Sequence, residues 1–482
     1  MKYILKSDNY QSNYLVNLLN SRGIFDIENY LNPSKENLLD CNLLCNIKEA
    51  ADCLLKHLNN NSTIGIVIDS DQDGFTSTAI LWNYIKLIFP NANLNYFLHE
   101  GKQHGLEDFC EKIINQNKYD LIIMPDASSN DYDYHKSLKE HGIDVIVLDH
   151  HDAEKLSEDA IVVNNQLSTN YENKALSGAG VVYKFCVYLD NRLGKNFANQ
   201  FLDLAAIGII GDMMDLRTLE NRYIVSEGLK NIKNACIIQI IEKQSYSIGD
   251  TDNLNPTHIA FYITPLINAL IRVGSQQEKE SLFQALINGN EMVPSTKRGA
   301  KGTYESLGTQ CARNCVNARS RQNRAKEKAI DELEIKIFND NLDENKVIFI
   351  PVEPSNNIDS TLTGLIAMQI MNKYKKPVII AKENNEGYFR GSARGDSKSE
   401  LKNLKTFFQN SGLFEYAEGH ECAHGVSIHK KNIDKFISYA NEELKDINFN
   451  EGVYEIDFIR NSNAPDLKDL INELGKYSYL WG

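Results

Sequence analysis

The chain has 482 residues, 42% of them hydrophobic and 24% charged, and a formal net charge of −14. These values are those of an ordinary soluble globular protein with room for about three domains, and the bulk charge argues against a simple nucleic-acid-binding module. Met1 to Asp8 lacks the apolar core of a secretory signal, and no apolar run approaches the ~18 residues that span a bilayer. Nine cysteines are scattered without a CxxC pair, which predicts reduced thiols in a cytoplasmic setting.

In chain order, residues 1–60 read as helical, with a turn at Asn32-Pro33-Ser34 and an amphipathic stretch from about Asn46 to Leu58. The run Ile64-Gly65-Ile66-Val67-Ile68 has the length and branching of a strand buried on both faces. It leads directly into Asp69, Asp71 and Asp73 at alternate positions, followed by Gly74. An EF-hand loop also opens this way, but its twelfth position would be Ile80 rather than a bidentate Glu, and a strand rather than a helix precedes it. A solvated acidic turn is the other reading of this stretch taken alone. Helical spacing follows from Thr78 to Phe89 and stops at Pro90.

Two more apolar runs end in the same manner. Tyr119 to Pro125 leads into Asp126-Ala127-Ser128, and Asp144 to Leu148 leads into Asp149-His150-His151. Ile161 to Asn164 is a further strand, and Ala205 to Gly211 a helical run that ends at Asp212. Strands alternating with helices predict an α/β domain with a doubly wound parallel sheet. Right-handed crossovers then bring the carboxyl ends of these strands to one edge, where ligands bind. Carboxylates crowded there repel one another unless a cation neutralises them. Oxygen and nitrogen donors suit Mn²⁺ or Mg²⁺, and five or more of them suit a pair of ions.

Around Asn288–Lys301 the texture changes to a linker or surface loop, followed by a long helix from about Tyr304 to Phe338 that joins two lobes. Lys297 to Lys328 holds nine basic residues against Glu305 and Glu327, a plausible phosphate-tracking segment or a solvated helix face. Cys311 and Cys315, four apart on that helix, read as packing residues rather than zinc ligands. A smaller α/β unit starts at Lys346 to Val352 and includes Gly391-Ser392-Ala393-Arg394 and Gly419-His420-Glu421. Small residues there let a phosphate approach the backbone; taken alone, both stretches read as glycine turns in a modest sheet. The expected division is a helical N-terminal region over 1–60, a catalytic domain over 61–290, a linker and connecting helix over 291–343, a substrate-binding domain over 344–447 and an extension over 448–482.

These motifs together resemble the DHH-family phosphoesterases, and specifically the RecJ single-strand-specific DNA exonucleases. Asp69 to Gly74 resembles the first motif, Asp126 the second, Asp149-His150-His151 the signature triplet, and Asp212 the fourth. Ser21 to Ile24, Leu176 to Val181, Glu220 to Arg222 and Pro265 to Ala269 with Arg272 are also RecJ-like. The resemblance implies a two-lobed DHH/DHHA1 architecture. In it Asp71, Asp73, Asp126, His150 and Asp212 hold two Mn²⁺ or Mg²⁺ ions, with Asp126 as bridge. His151 contacts the scissile phosphate, and Asp69 and Asp149 orient ligands from behind, with Asp69 also among the possible ligands of a metal. Asn268 and Arg272 grip a phosphate on the first lobe, and Ser392, Arg394 and His420 hold the substrate end on the second.

The implied reaction is 5′-to-3′ hydrolysis of single-stranded DNA to 5′-mononucleotides, in DNA repair, recombination or replication. Single-stranded DNA is the implied partner, a single-strand-binding protein or helicase a candidate one, and the implied setting the cytoplasm of a bacterium or of a phage host. The chain departs from the family pattern at Ala127-Ser128, where Cys-Gly is common, and at Glu418 and His424, which flank the glycine-histidine motif. Tyr454 to Gly482 resembles the lead-in to the family's OB-fold, which implies a minimal or shortened form. Two other readings stand beside this one: a DHH phosphodiesterase for short oligonucleotides or cyclic dinucleotides, and a catalytically silent RecJ-like replication scaffold.

Overall fold

The computed structural model describes residues 2–6, 14–101, 103–353, 358–457, 459–477 and 480. The stretches Met1 to Asp8 and Tyr454 to Gly482 read above lie partly outside the described residues. The chain forms two units, one of residues Arg22–Arg319 with Asp469–Gly482, the other of Met1–Ser21 with Ser320–Lys468. Among the described residues no helix is long and apolar enough to cross a membrane.

The first unit is built on five parallel strands, β1 (Thr63–Ile68), β2 (Asn93–Leu98), β3 (Leu121–Pro125), β4 (Asp144–Asp149) and β5 (Ile161–Asn164), in the order β2-β1-β3-β4-β5. Alternate residues of each strand serve opposite layers. Ile64, Ile66, Ile68, Leu121, Ile123, Ile146 and Leu148 join one apolar core, whereas Val67, Ile122, Met124, Val145, Val147 and Val162 join another. Both faces are therefore covered, which is why the strands read as continuous apolar runs. The first core is completed by α1 (Ile47–Asn59), α2 (Gln72–Ile88), α3 (Gly178–Leu193), α4 (Leu202–Gly211) and α5 (Leu219–Lys230).

Three local outcomes differ from the sequence reading. Helix α2 begins at Gln72, not Thr78, because Asp71 caps it by accepting from the Gly74 amide at 3.0 Å. The acidic stretch is thus a strand-to-helix junction rather than a long loop. Strand β2 escaped notice because Asn93-Leu94-Asn95-Tyr96 is a half-exposed edge without a continuous apolar run. The expected N-terminal region divides: Lys2–Leu5 is a strand paired in parallel with Val453–Ile456, a pairing across the chain that no local pattern announces.

Leu39, ahead of α1, is tied to α3 and α5 through a buried ion pair. Lys184 lies 2.8 Å from Glu220, and the two side chains are 1% and 2% exposed. Glu220 also accepts from Tyr171 at 2.7 Å, Asn173 at 3.0 Å and the Leu39 amide at 3.1 Å, while Lys184 donates to the Leu39 carbonyl.

The second unit holds a mixed sheet of β6 (Ile348–Val352), β7 (Val378–Glu383), β8 (Tyr388–Arg394), β9 (Phe414–His420) and β10 (Ala423–His429), in the order β9-β10-β8-β7-β6. Only β6 and β7 are parallel. One continuous helix, Leu307–Asn339, passes from the first unit into the second. A two-stranded hairpin, Met292–Pro294 with Tyr304–Ser306, precedes it where the sequence suggested a plain linker. Cys311 and Cys315 are fully buried on that helix, as packing residues should be.

The Lys184–Glu220 pair yields a direct prediction. Lys184→Met leaves a buried carboxylate without its countercharge and should lower the unfolding free energy by about 3–5 kcal/mol, read from urea denaturation.

Candidate metal centre

The strand order reverses between β1 and β3, and that crevice is where ligands bind in such sheets. β1 delivers Asp69, Asp71 and Asp73 to it, and β3 delivers Asp126. β4 ends at Asp149 and brings His150 and His151, while Asp212 caps the C-terminus of α4. Eight side chains named from the sequence thus share one edge.

Donor atoms of Asp126, Asp149, His150 and His151 approach within 4.8 Å of one another. The same limit holds within the set Asp73, His150 and Asp212, and within Asp69, Asp71 and Asp126. Asp126 and His150 link these sets: His150 Nε2 lies 3.3 Å from Asp126 Oδ1 and 3.4 Å from Asp212 Oδ2.

The Asp126 carboxylate is 1% exposed, yet neither oxygen has a hydrogen-bond partner, and His150 Nε2 lacks one too. Buried carboxylates are ordinarily satisfied, so these orphaned atoms fit a cation. Burial, reinforced by the charge of Asp73, raises the Asp126 carboxyl well above its usual range. Burial together with Asp73 and Asp71 pushes Asp212 up to about 8. Asp126 also adopts φ +67°, a left-handed conformation uncommon outside glycine. Gly178 makes room for it, since a Cβ there would stand 2.3 Å from Asp126 Oδ1.

The other carboxylates are braced by the chain. Asp73 lies at the N-terminus of α3, accepting from Ser177 Oγ at 3.0 Å, the Gly178 amide at 2.7 Å and the Ala179 amide at 3.2 Å. Asp149 accepts from the amides of Ser129, His150 and His151 at 3.1, 2.7 and 3.2 Å, and from His151 Nδ1 at 2.8 Å. Burial would push Asp149 up, but His151 outweighs it and holds the carboxyl below the usual range. Burial opposes charge on His151 as well, yet the Asp149 bond brings it up to about 10.

The remaining sequence-predicted residues are placed as follows. Asn268 and Arg272, four apart on the helix Thr264–Val273, share one face. Asn268 Oδ1 accepts from the Gln72 amide at 3.1 Å, so its oxygen supports the acidic junction. Burial lowers the Arg272 pKa while the charge of Asp71 acts against that shift. In the second unit, Ser392 Oγ is 3.0 Å from Thr363 Oγ1, and Arg394 donates to the Ala393 carbonyl at 2.7 Å. Arg394 and His420 both stand opposite Ala423, on strands flanking β10.

Residues 63–209 match the DHH family, N-terminal domain. The YorK protein of Bacillus subtilis, provisionally named a prophage-derived single-strand DNA-specific exonuclease, is 41% identical over 488 residues, covering 100% of this chain and 83% of its own length. The chain belongs to the RecJ-like DHH family. The single-stranded-DNA-specific exonuclease RecJ of Bacillus subtilis is 24% identical, with 89% of this chain and 52% of that protein covered. The fold agrees with the crystal structure of RecJ from Thermus thermophilus in complex with Mn²⁺, at a TM-score of 0.72 and 22% identity over 95% of this chain. The match spans 63% of that RecJ chain.

Several residues at this cluster were not assigned a role from the sequence. Ser177 to Ala179 lie in the RecJ-like stretch Leu176 to Val181, but their bonds to Asp73 needed the packing of α3 on α2. Asn164 donates to Ser129 Oγ and to the His151 carbonyl, both at 2.9 Å, and its position at the end of β5 was the available hint. His104 approaches both oxygens of Asp69, at 3.0 and 2.7 Å, from a loop after the unrecognised β2. A second cluster, Cys53, His57 and Asp144, lies at the opposite sheet end. There His57 already bonds Ser62 and Asp144, so its ring nitrogens are satisfied within the chain, and burial pushes the Cys53 thiol up to about 11.

The charge cluster sets a pH dependence for the cation-free protein. Asp212 and His151 bind protons more tightly folded than unfolded, since their folded values of about 8 and about 10 exceed the ordinary 3.8 and 6.5. Stability should therefore fall as pH rises from about 6.5 to 8 in EDTA. The opposite contribution of His150, whose pKa burial lowers, ends near its ordinary 6.5. Urea midpoints at the two ends of that range check this; saturating Mn²⁺ should flatten the difference.

Proposed function

We propose that this chain is a divalent-metal-dependent exonuclease that hydrolyses single-stranded DNA from its 5′ end to 5′-mononucleotides, as part of DNA repair, recombination or replication. The observation that carries this reading is the orphaned Asp126 carboxylate, buried where three strand ends and one helix end converge. The names of the relatives supply the nucleic-acid class.

In this reading Asp71, Asp73, Asp126, His150 and Asp212 would hold a pair of Mn²⁺ or Mg²⁺ ions. All five are oxygen or imidazole donors, which suits those ions. The cations, when bound, supply an activated water at neutral pH and stabilisation of the leaving 3′-oxygen. The chain's own contribution is positioning and charge. Asp149 fixes the direction of His151 through Nδ1, so that Nε2 is the atom presented to a phosphate. The raised pKa of His151 keeps it cationic at neutral pH, and a cationic imidazole donates to a phosphate oxygen as negative charge builds there. Arg272 supplies a further positive charge near Asp71. In the second unit Ser392, Arg394 and His420 receive the phosphate-bearing end of the strand.

The test digests a 5′-phosphorylated single strand in parallel with a short dinucleotide, with Mn²⁺ present. The long strand should shorten from its 5′ end with mononucleotides released; consumption of the dinucleotide alone would falsify the exonuclease reading. Asp126→Ala should reduce hydrolysis by at least about 10³-fold, in keeping with the several kcal/mol that metal-centred charge stabilisation supplies. Unchanged hydrolysis in that variant would remove Asp126 from the centre.

A further inference from the structure

We propose that His104 is a positioning residue of the hydrolysis site: through Nδ1 it holds the Asp69 carboxylate in place on the β1 side of the cation-binding cluster. This rests on the metal-dependent reading above and extends it to a residue outside the acidic and DHH motifs.

The carboxylates of the cluster differ in what steadies them. Asp71 bonds an amide three residues on, Asp149 bonds amides one and two residues on, and Asp73 lies on the N-terminus of α3. Asp69 is 2% exposed, and a donor atom of its carboxylate lies within 4.8 Å of those of Asp71 and Asp126. Charges of like sign on one side and burial on the other would drive such a group to rotate or take up a proton. The counterweight is an imidazole 35 residues away, whose Nδ1 approaches both Asp69 oxygens at 3.0 and 2.7 Å.

The loop that brings His104 is anchored on both sides. Lys279, buried on the helix Gln276–Asn288, donates to the carbonyls of His99, Glu100 and Gly101 at 3.3, 2.7 and 3.3 Å. On the far side the Leu106 amide donates to Asp131 Oδ2 at 2.9 Å. Gly105 adopts φ +71°, and a Cβ there would stand 2.4 Å from the same oxygen. A lysine spent on three backbone carbonyls and a glycine pressed on a carboxylate fix where His104 stands. Asp149 and His151 repeat the pattern, with a buried carboxylate bonded to Nδ1 of a half-exposed imidazole. The cluster is thus flanked on two sides by the same device.

The test compares His104→Ala, His104→Asn and His104→Gln in the full chain, with folding checked by thermal melting in EDTA. An Asn amide can occupy the place of Nδ1, whereas a Gln amide reaches past it. Mn²⁺ binding is read by the electron paramagnetic resonance of free Mn²⁺, and hydrolysis of a 5′-phosphorylated strand is followed as Mn²⁺ is raised. His104→Ala and His104→Gln should lose roughly 10–100-fold in Mn²⁺ affinity, the usual cost of removing a residue that orients a ligand. The Mn²⁺ concentration for half-maximal rate should rise in parallel, and His104→Asn should stay within about threefold of the parent, since the bond to Asp69 is kept. Parent-like Mn²⁺ binding by His104→Ala overturns the inference, as does an Asn variant no better than Gln. If Ala does not fold, the Asn–Gln pair decides. A parent chain that binds Mn²⁺ but leaves DNA intact removes the nuclease reading, and the Mn²⁺ titrations alone then judge His104.

Discussion

Mutual repulsion among buried carboxylates is the constraint to which the first unit is built. Asp126 sits at its centre without a hydrogen bond to either oxygen and on a backbone conformation that L-residues seldom adopt. An apolar sheet gains nothing by holding such a group. What keeps it there is the surrounding frame: β3 buried on both faces, α3 packed so closely that only glycine fits at 178, and flanking strands that end in the same plane. Order of this kind in a strained, electrostatically unfavourable place indicates a ligand that removes the cost.

Around that centre the chain divides its carboxylates by environment. Asp73 and Asp149 receive backbone amides that fix their direction; His151 holds the Asp149 carboxyl below its usual range, whereas burial raises that of Asp73. Asp126 and Asp212 receive none in the same measure, and burial among like charges raises both carboxyl groups, that of Asp212 to about 8. A cation held by this cluster would compete with protons for these carboxylates, which would couple occupancy to pH. Asn268 ties the far helix to this arrangement, because its Oδ1 accepts from the Gln72 amide. Its Nδ2 is the part of that side chain left to a ligand-binding role.

The second unit rests on different physics. Its sheet is mixed, and the sequence-predicted residues lie at the end of β8 and β9 rather than in a buried cluster. Thr363 and the Ala393 carbonyl restrain Ser392 and Arg394. The basic segment resolves unevenly. Arg313 is engaged with Glu305 at 2.6 Å, whereas Lys297, Arg298 and Lys301 are exposed in the hairpin. Charge that looked uniform along the sequence is thus partly neutralised in the fold.

The parallel sheet and its acidic edge were legible in the sequence because apolar runs of five residues ending in Asp or Asp-His-His are a local pattern: burial on both faces forces the run, and the strand end exposes the polar residue. β2 was not legible, being a half-exposed edge, and neither was the pairing of Lys2–Leu5 with Val453–Ile456, which exists only once distant segments meet. The sequence by itself determined which side chains hold charge and that they fall at strand ends. Tertiary structure alone decided which carboxylates are braced and which are left bare, since a hydroxyl and two amides reach Asp73 from 104 to 106 residues away and an imidazole reaches Asp69 from 35. Hydrogen bonds act across contacts of about 3 Å, and only the folded chain sets which residues stand that close.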